Sequence, residues 1–119
     1  VTSTASDPDC LFCRIVAGTV PADVVHESAT TVAFRDISPG APTHVLLVPR
    51  DHHADAASLA AAEPARVAEL VAAAGEVARQ EGLERGYRLV WNTGPDAGQT
   101  VHHVHLHLLG GRGLGWPPG

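Results

Sequence analysis

Apolar residues fall at helical spacing between Pro64 and Glu81, where Val67, Leu70, Val71, Ala74 and Val77 would share one face. Pro64 is a favourable first helical residue and Gly82 a favourable stop, so the spacing predicts a long helix lying on a sheet. Alternation marks strands elsewhere. Pro21 to Glu27 and Thr30 to Asp36 are β-rich and separated by Ser28-Ala29, which reads as a hairpin. Ser38 to Pro42 breaks the pattern as a turn. Thr43 to Pro49 is nearly all apolar, as expected of a central strand covered on both faces. Tyr87 to Asn92 and Thr100 to Leu109 complete the sheet, joined by the turn-rich Thr93 to Gly98.

A short helix capped by Asp9 and closed by Gly18 would place Leu11, Phe12, Ile15 and Val16 on an apolar side. Asp51 to Glu63 is Ala-rich and reads as loop with a short helical turn. The expected fold class is α+β: about five mostly antiparallel strands, one long helix and a short N-terminal helix. No internal repeat or second domain is visible. Residues 1–119 read as one domain, with a flexible N-terminus over 1–9 and a glycine-rich tail over 110–119.

Composition narrows the function classes. Of 119 residues, 45% are hydrophobic and 18% charged, the balance of a globular chain. No apolar run approaches the roughly 20 residues of a membrane span, and Val1 to Asp9 lacks the basic and apolar regions of a signal peptide. The expectation is a soluble, cytoplasmic protein with no membrane partner. The net charge of −5, from 13 acidic and 8 basic residues, comes without a basic patch, which argues against a polynucleotide partner. A small anionic ligand needs only a few local donors and stays compatible.

The chemistry concentrates in His103-Val104-His105-Leu106-His107-Leu108-Leu109. On a strand the three histidines share one face, while Val104, Leu106 and Leu108 turn to a core. On a helix they would fan out at about 200° steps. Imidazole is the side chain suited to proton exchange near neutrality. Three such rings could hold zinc or serve as an acid, base and nucleophile array. The upstream Asn92 to Thr100 segment feeds amide and hydroxyl donors toward them, which suits anionic oxygens better than a tetrahedral metal site. Cys10 and Cys13 form a C-x-x-C pair. A metal half-site, a redox pair and two core cysteines are the competing readings, and the absence of a strand pattern before Cys10 weighs against the redox one.

With these residues in view, the chain resembles the histidine-triad nucleotide-binding proteins, a family defined by His-x-His-x-His followed by two apolar residues. The likeness spans nearly the whole chain. Phe34 to Pro39 and Ala41 to His44 resemble the family's ribose-binding segment and following strand, and Asn92 with Gly98-Gln99-Thr100 its phosphate-side residues. Gly110-Gly111-Arg112 and Trp116-Pro117-Pro118-Gly119 resemble the ending of the small phosphoramidase branch.

The resemblance implies a hydrolase for purine nucleoside 5′-phosphoramidates or related conjugates. In it, His105 attacks the α-phosphorus, the carbonyl of His103 orients the ring of His105, and His107 and Thr100 assist phosphate and leaving group. Gln99 and Asn92 would line the phosphate end. Asp36 would bind ribose, with Phe12, Ile15, Phe34, Ile37 and Leu46 around the base. It also implies a homodimer whose sheets join edge to edge, to which the exposed-looking Trp91 and Trp116 lend weak support.

One structural zinc is implied on Cys10, Cys13, His44 and His103, with no cofactor required for the chemistry. Relatives without the cysteines use the matching histidines in hydrogen bonds, so two roles for His44 and His103 compete. His102 alternates onto the opposite face, and His26, His52 and His53 carry no spacing signal and read as exposed or strand-end residues. Two rivals stand beside this reading. One is a zinc hydrolase ligating through His103, His105 and His107, and the other a nucleotide-binding regulatory module with little turnover.

Overall fold

A computed structural model describes residues 6–119. The elements run α1 (Leu11–Val16), β1 (Val24–Glu27), β2 (Thr31–Arg35), β3 (Thr43–Pro49), α2 (Ala56–Ala62), α3 (Pro64–Gln80), β4 (Tyr87–Trp91) and β5 (Leu106–Gly110), with a short 3-10 turn at Pro95–Ala97. The five strands form one antiparallel sheet in the order β1-β2-β3-β5-β4. The α+β architecture is therefore as the pattern predicts, with β3 central and buried along most of its length.

Alternation assigns the two faces. Ala33, Val45, Leu47, Leu106 and Leu108 point to the side covered by α3, where Leu70, Ala74 and Val77 are fully buried. Each fully buried leucine there contributes roughly 2–3 kcal/mol. Val71 is an exception to the predicted helix face, at 43% exposed. The opposite face carries Val32, Phe34, Leu46 and Val48, packed under Phe12 of α1. Register places Phe34 beside Leu46, Leu46 beside His107, and His107 beside Val90, so one row of that face runs from the apolar floor to a histidine.

Local chemistry sets the element ends. The N-cap of α1 is Cys10, not the expected Asp9: its Sγ accepts from the Cys13 N–H at 3.4 Å. Asp7 and Asp9 fold back against this turn, through Asp7 N–H to Cys13 Sγ and Asp9 N–H to Asp7 Oδ1. Of the flexible N-terminus expected over 1–9, residues 1–5 lie outside the described residues. The Ala-rich stretch resolves into α2 because Asp55 caps it through the Ser58 N–H at 2.9 Å.

The largest departure lies before β5. A strand is expected from Thr100, yet ladder pairing begins only at Leu106. The segment before it bonds to the loop after β3 instead: Val104 N–H donates to the His53 carbonyl at 2.7 Å, and Gln99 Nε2 to the Ala54 carbonyl at 2.7 Å. Trp91 is also not an exposed surface residue; it is half-buried and packed against the α3-side core, whereas Trp116 is 82% exposed.

Candidate functional site

Between α1 and the Phe34–Leu46 face lies a cavity of about 320 Å³. Phe12, Ile15, Phe34 and Leu46 give it an apolar end, and Asp36, Thr100, His105 and His107 a polar one. An apolar slot leading to convergent polar groups is the general form of a small-molecule site.

Hydrogen bonds fix which nitrogen of each ring faces the cavity. His105 Nδ1 lies 2.9 Å from the His103 carbonyl, which can only accept, so the proton sits on Nδ1 and the Nε2 lone pair is free. The Gly40 N–H donates to His44 Nδ1 at 2.9 Å, which places the His44 proton on Nε2. That Nε2 donates in turn to His107 Nδ1 at 2.9 Å, with Asp36 Oδ2 at 3.4 Å beside it. The proton of His107 therefore sits on its Nε2; the Asn92 Nδ2, itself a donor, is at 3.5 Å too distant to favour the other tautomer.

The result is a lone pair on one ring and a donor on the next, with ring centres 5.0 Å apart. Burial pushes the pKa of His105 down and that of His107 down to about 4, so both rings are uncharged near neutrality. Phe12 stands edge-on to His105 at 5.0 Å and helps exclude water from it.

A second cluster lies beside the first. Cys10, Cys13, His52 and His103 bring four ligand atoms within 4.8 Å of one another. His103 Nε2 donates to the Pro49 carbonyl at 2.9 Å, leaving Nδ1 unprotonated and facing Cys10 Sγ at 3.4 Å and Cys13 Sγ at 3.5 Å. His52 Nδ1 is 3.4 Å from Cys13 Sγ. Zinc bonds of about 2.3 Å to sulfur and about 2.0 Å to nitrogen, at a tetrahedral angle, separate such donors by about 3.6 Å. The four residues fit that ion, and the outward Nε2–H on a carbonyl is the usual support of a metal-bound histidine. Without a cation among them, burial pushes the Cys13 thiol up to about 11.

Asp36, His44 and His107 also lie close together, but the Gly40 N–H keeps the His44 proton on Nε2, so that nitrogen has no lone pair for a metal. The two clusters thus divide the work: sulfur and nitrogen ligands on one side, a hydrogen-bonded imidazole pair on the other.

The HIT domain pattern matches residues 17–114. This chain belongs to the HIT family. It is 46% identical over 116 residues to the 14 kDa zinc-binding protein of Zea mays, spanning 95% of this chain and 90% of that one. Over 120 residues it is 42% identical to adenylylsulfatase HINT1 of Arabidopsis thaliana, spanning 98% and 81% respectively. Its fold superposes on the crystal structure of a HIT family hydrolase from Legionella pneumophila with a TM-score of 0.90 and 48% identity, covering 93% of this chain and all of that one.

Several residues of this HIT chain lie elsewhere than its sequence suggests. The fourth partner of Cys10, Cys13 and His103 is His52, not His44, because His44 is held in β3 by Gly40 and His107. His53 is not exposed but 8% accessible and paired with Glu63. Gln99 does not line the cavity. Its Nε2 donates to the Ala54 and Val101 carbonyls and its Oε1 accepts from the Gly94 N–H, so it stitches the loop together. Asn92 Nδ2 lies 3.5 Å from His107 Nε2, the nitrogen that faces the cavity. Ile37 stands at the rim, 97% exposed. Nor do His103, His105 and His107 form one ligand set, since their Nδ1 atoms face cysteines, a carbonyl and His44 respectively.

Spacing gives no signal for His52: it lies three residues past Pro49, the end of β3, and only the path of that loop brings its ring to Cys13 of α1.

Proposed function

We propose that this protein hydrolyses purine nucleoside 5′-phosphoramidates or related nucleoside monophosphate conjugates through a phosphohistidine on His105. The observation that carries the reading is the pairing of a free His105 Nε2 lone pair with a His107 Nε2–H on one cavity wall. The base occupies the Phe12–Phe34–Leu46 end, and Asp36 binds ribose hydroxyls.

His105 Nε2 attacks the α-phosphorus and the P–N bond breaks, the leaving nitrogen accepting a hydrogen bond from the neutral His107 Nε2–H while it takes its proton from solvent. Water then attacks phosphorus and loses its proton to solvent. The N–P bond breaks, its electron pair returns to His105 Nε2, and nucleoside monophosphate leaves. The Thr100 hydroxyl, on the same wall, contacts the phosphate.

Cys10, Cys13, His52 and His103 would hold one zinc ion. Four protein ligands leave no open position, so the ion's contribution would be structural. The name of the maize relative supports this metal, and the names of the Arabidopsis and Legionella relatives support a hydrolase. We also propose a cytoplasmic homodimer joined through the edge strand β4, testable by size-exclusion chromatography with light scattering.

The deciding experiment uses an adenosine 5′-phosphoramidate that releases a fluorescent amine, with wild type beside His105→Ala. Turnover by wild type alone supports the mechanism. Turnover retained in His105→Ala overturns it, and nucleotide binding without turnover in either protein leaves a binding module.

A further inference from the structure

The His103–Val104 peptide group is gripped at both ends. Its carbonyl accepts from His105 Nδ1 at 2.9 Å, and its N–H donates to the His53 carbonyl at 2.7 Å. This peptide lies outside the β5 ladder, so no neighbouring strand fixes its plane. The end of β3 and the loop after it do so instead, through the Pro49, His53 and Ala54 carbonyls, which accept from His103, Val104 and Gln99 respectively.

One member of that loop is anchored a second time. The His53 ring, 8% exposed, lies with Nε2 2.8 Å from Glu63 Oε2. Glu63 is the junction residue between α2 and α3, and its own N–H is held by the Leu59 carbonyl at 2.7 Å. Its side chain makes no cap bond to α3, leaving the carboxylate for His53 and, at 3.6 Å, Arg66.

We propose that His53 and Glu63 are positioning residues for the nucleophile. They hold the His103–Val104 peptide in the orientation that keeps the His105 proton on Nδ1 and its lone pair toward the cavity. The chain of bonds runs from the Glu63 carboxylate to the His53 ring, then from the His53 carbonyl through the peptide to His105. A carbonyl whose amide N–H is already hydrogen-bonded is also a better acceptor, because successive bonds polarise one another. The inference rests on the hydrolase reading for its kinetic arm only.

The test replaces Glu63, which leaves the neighbouring His52 untouched. In Glu63→Ala, kcat on the fluorogenic phosphoramidate falls about tenfold, as small misplacements of reacting groups do. KM and bound metal stay unchanged. Ring ¹⁵N shifts show His105 shared between its two tautomers, where wild type has the proton on Nδ1. Glu63→Gln keeps an acceptor oxygen and recovers most of both effects. Should Glu63→Ala not fold, Glu63→Asp withdraws the carboxylate by one methylene and is expected to give the same mixed tautomer with a smaller loss of kcat. A single Nδ1–H tautomer in the folded alanine or aspartate variant overturns the proposal, as does a wild-type kcat in either. If wild type itself turns over no phosphoramidate, the hydrolase reading falls while the ¹⁵N measurement still judges the brace.

Discussion

His44 donates its Nε2–H to His107 Nδ1 across 2.9 Å, and this hydrogen bond decides that His107 presents a donor to the cavity. Removing it frees His107 to adopt the other tautomer. His44→Ala is therefore expected to lower kcat by about tenfold to a hundredfold, part of the roughly 10²–10⁴ that acid–base help supplies. The loss should be large for substrates with basic alkylamine leaving groups and small for those whose leaving group departs without a proton. A uniform loss across a leaving-group series would contradict the assignment.

The sulfur cluster makes a separate prediction. With the proposed zinc on this cluster, elemental analysis of the purified protein should find one ion per chain in wild type and none in Cys13→Ser. Because a structural ion contributes folding free energy directly, the melting temperature should fall by on the order of 10 °C or more. Prolonged chelation of wild type should produce a comparable fall.

Acid should destabilise the fold through His107. Burial holds its pKa at about 4, against 6.5 for an unperturbed imidazole. Between those values the unfolded chain carries the extra proton, so stability rises with pH across the window. The contribution is complete above pH 6.5 and lost progressively toward pH 4, by about 3 kcal/mol from this group. Denaturant midpoints for wild type and His107→Gln should diverge above pH 6 and converge near pH 4.

Gly111 offers a test of packing alone. Its φ of +94° is unfavourable for any residue with a side chain, and an added Cβ would sit 2.9 Å from Pro42 Cβ. Gly111→Ala should cost roughly 1–3 kcal/mol. The effect should be read as a shift of the denaturant midpoint with the unfolding slope unchanged.

These residues also mark what a sequence can and cannot disclose. Alternation placed Val104, Leu106 and Leu108 in the core, and Pro64 with Gly82 bracketed the long helix, because both patterns are local. Pairing partners are not local. His52 and His53 are adjacent and identical, yet one faces Cys13 and the other Glu63. Nothing in their spacing separates them, since the split depends on how the chain leaves β3. Gln99 has the chemistry of a phosphate donor, but loop geometry spends its amide on Ala54, Val101 and Gly94. The period-two histidine pattern likewise hides that its first half leaves the ladder, because an extended backbone alternates whether or not a strand lies beside it.

The turn from Gly82 to Gly86 divides the molecule in a way that its sheet order conceals. Everything before it supplies three of the four sulfur-cluster residues, the apolar slot and His44; everything after it supplies β4, β5 and His103, His105 and His107. A cut at that turn would yield two fragments, neither with a complete site, whose reunion must rebuild the β3–β5 pairing and the ligand set together. The fold is thus a ready template for a two-piece reporter, in which bringing the halves into proximity switches the chemistry on.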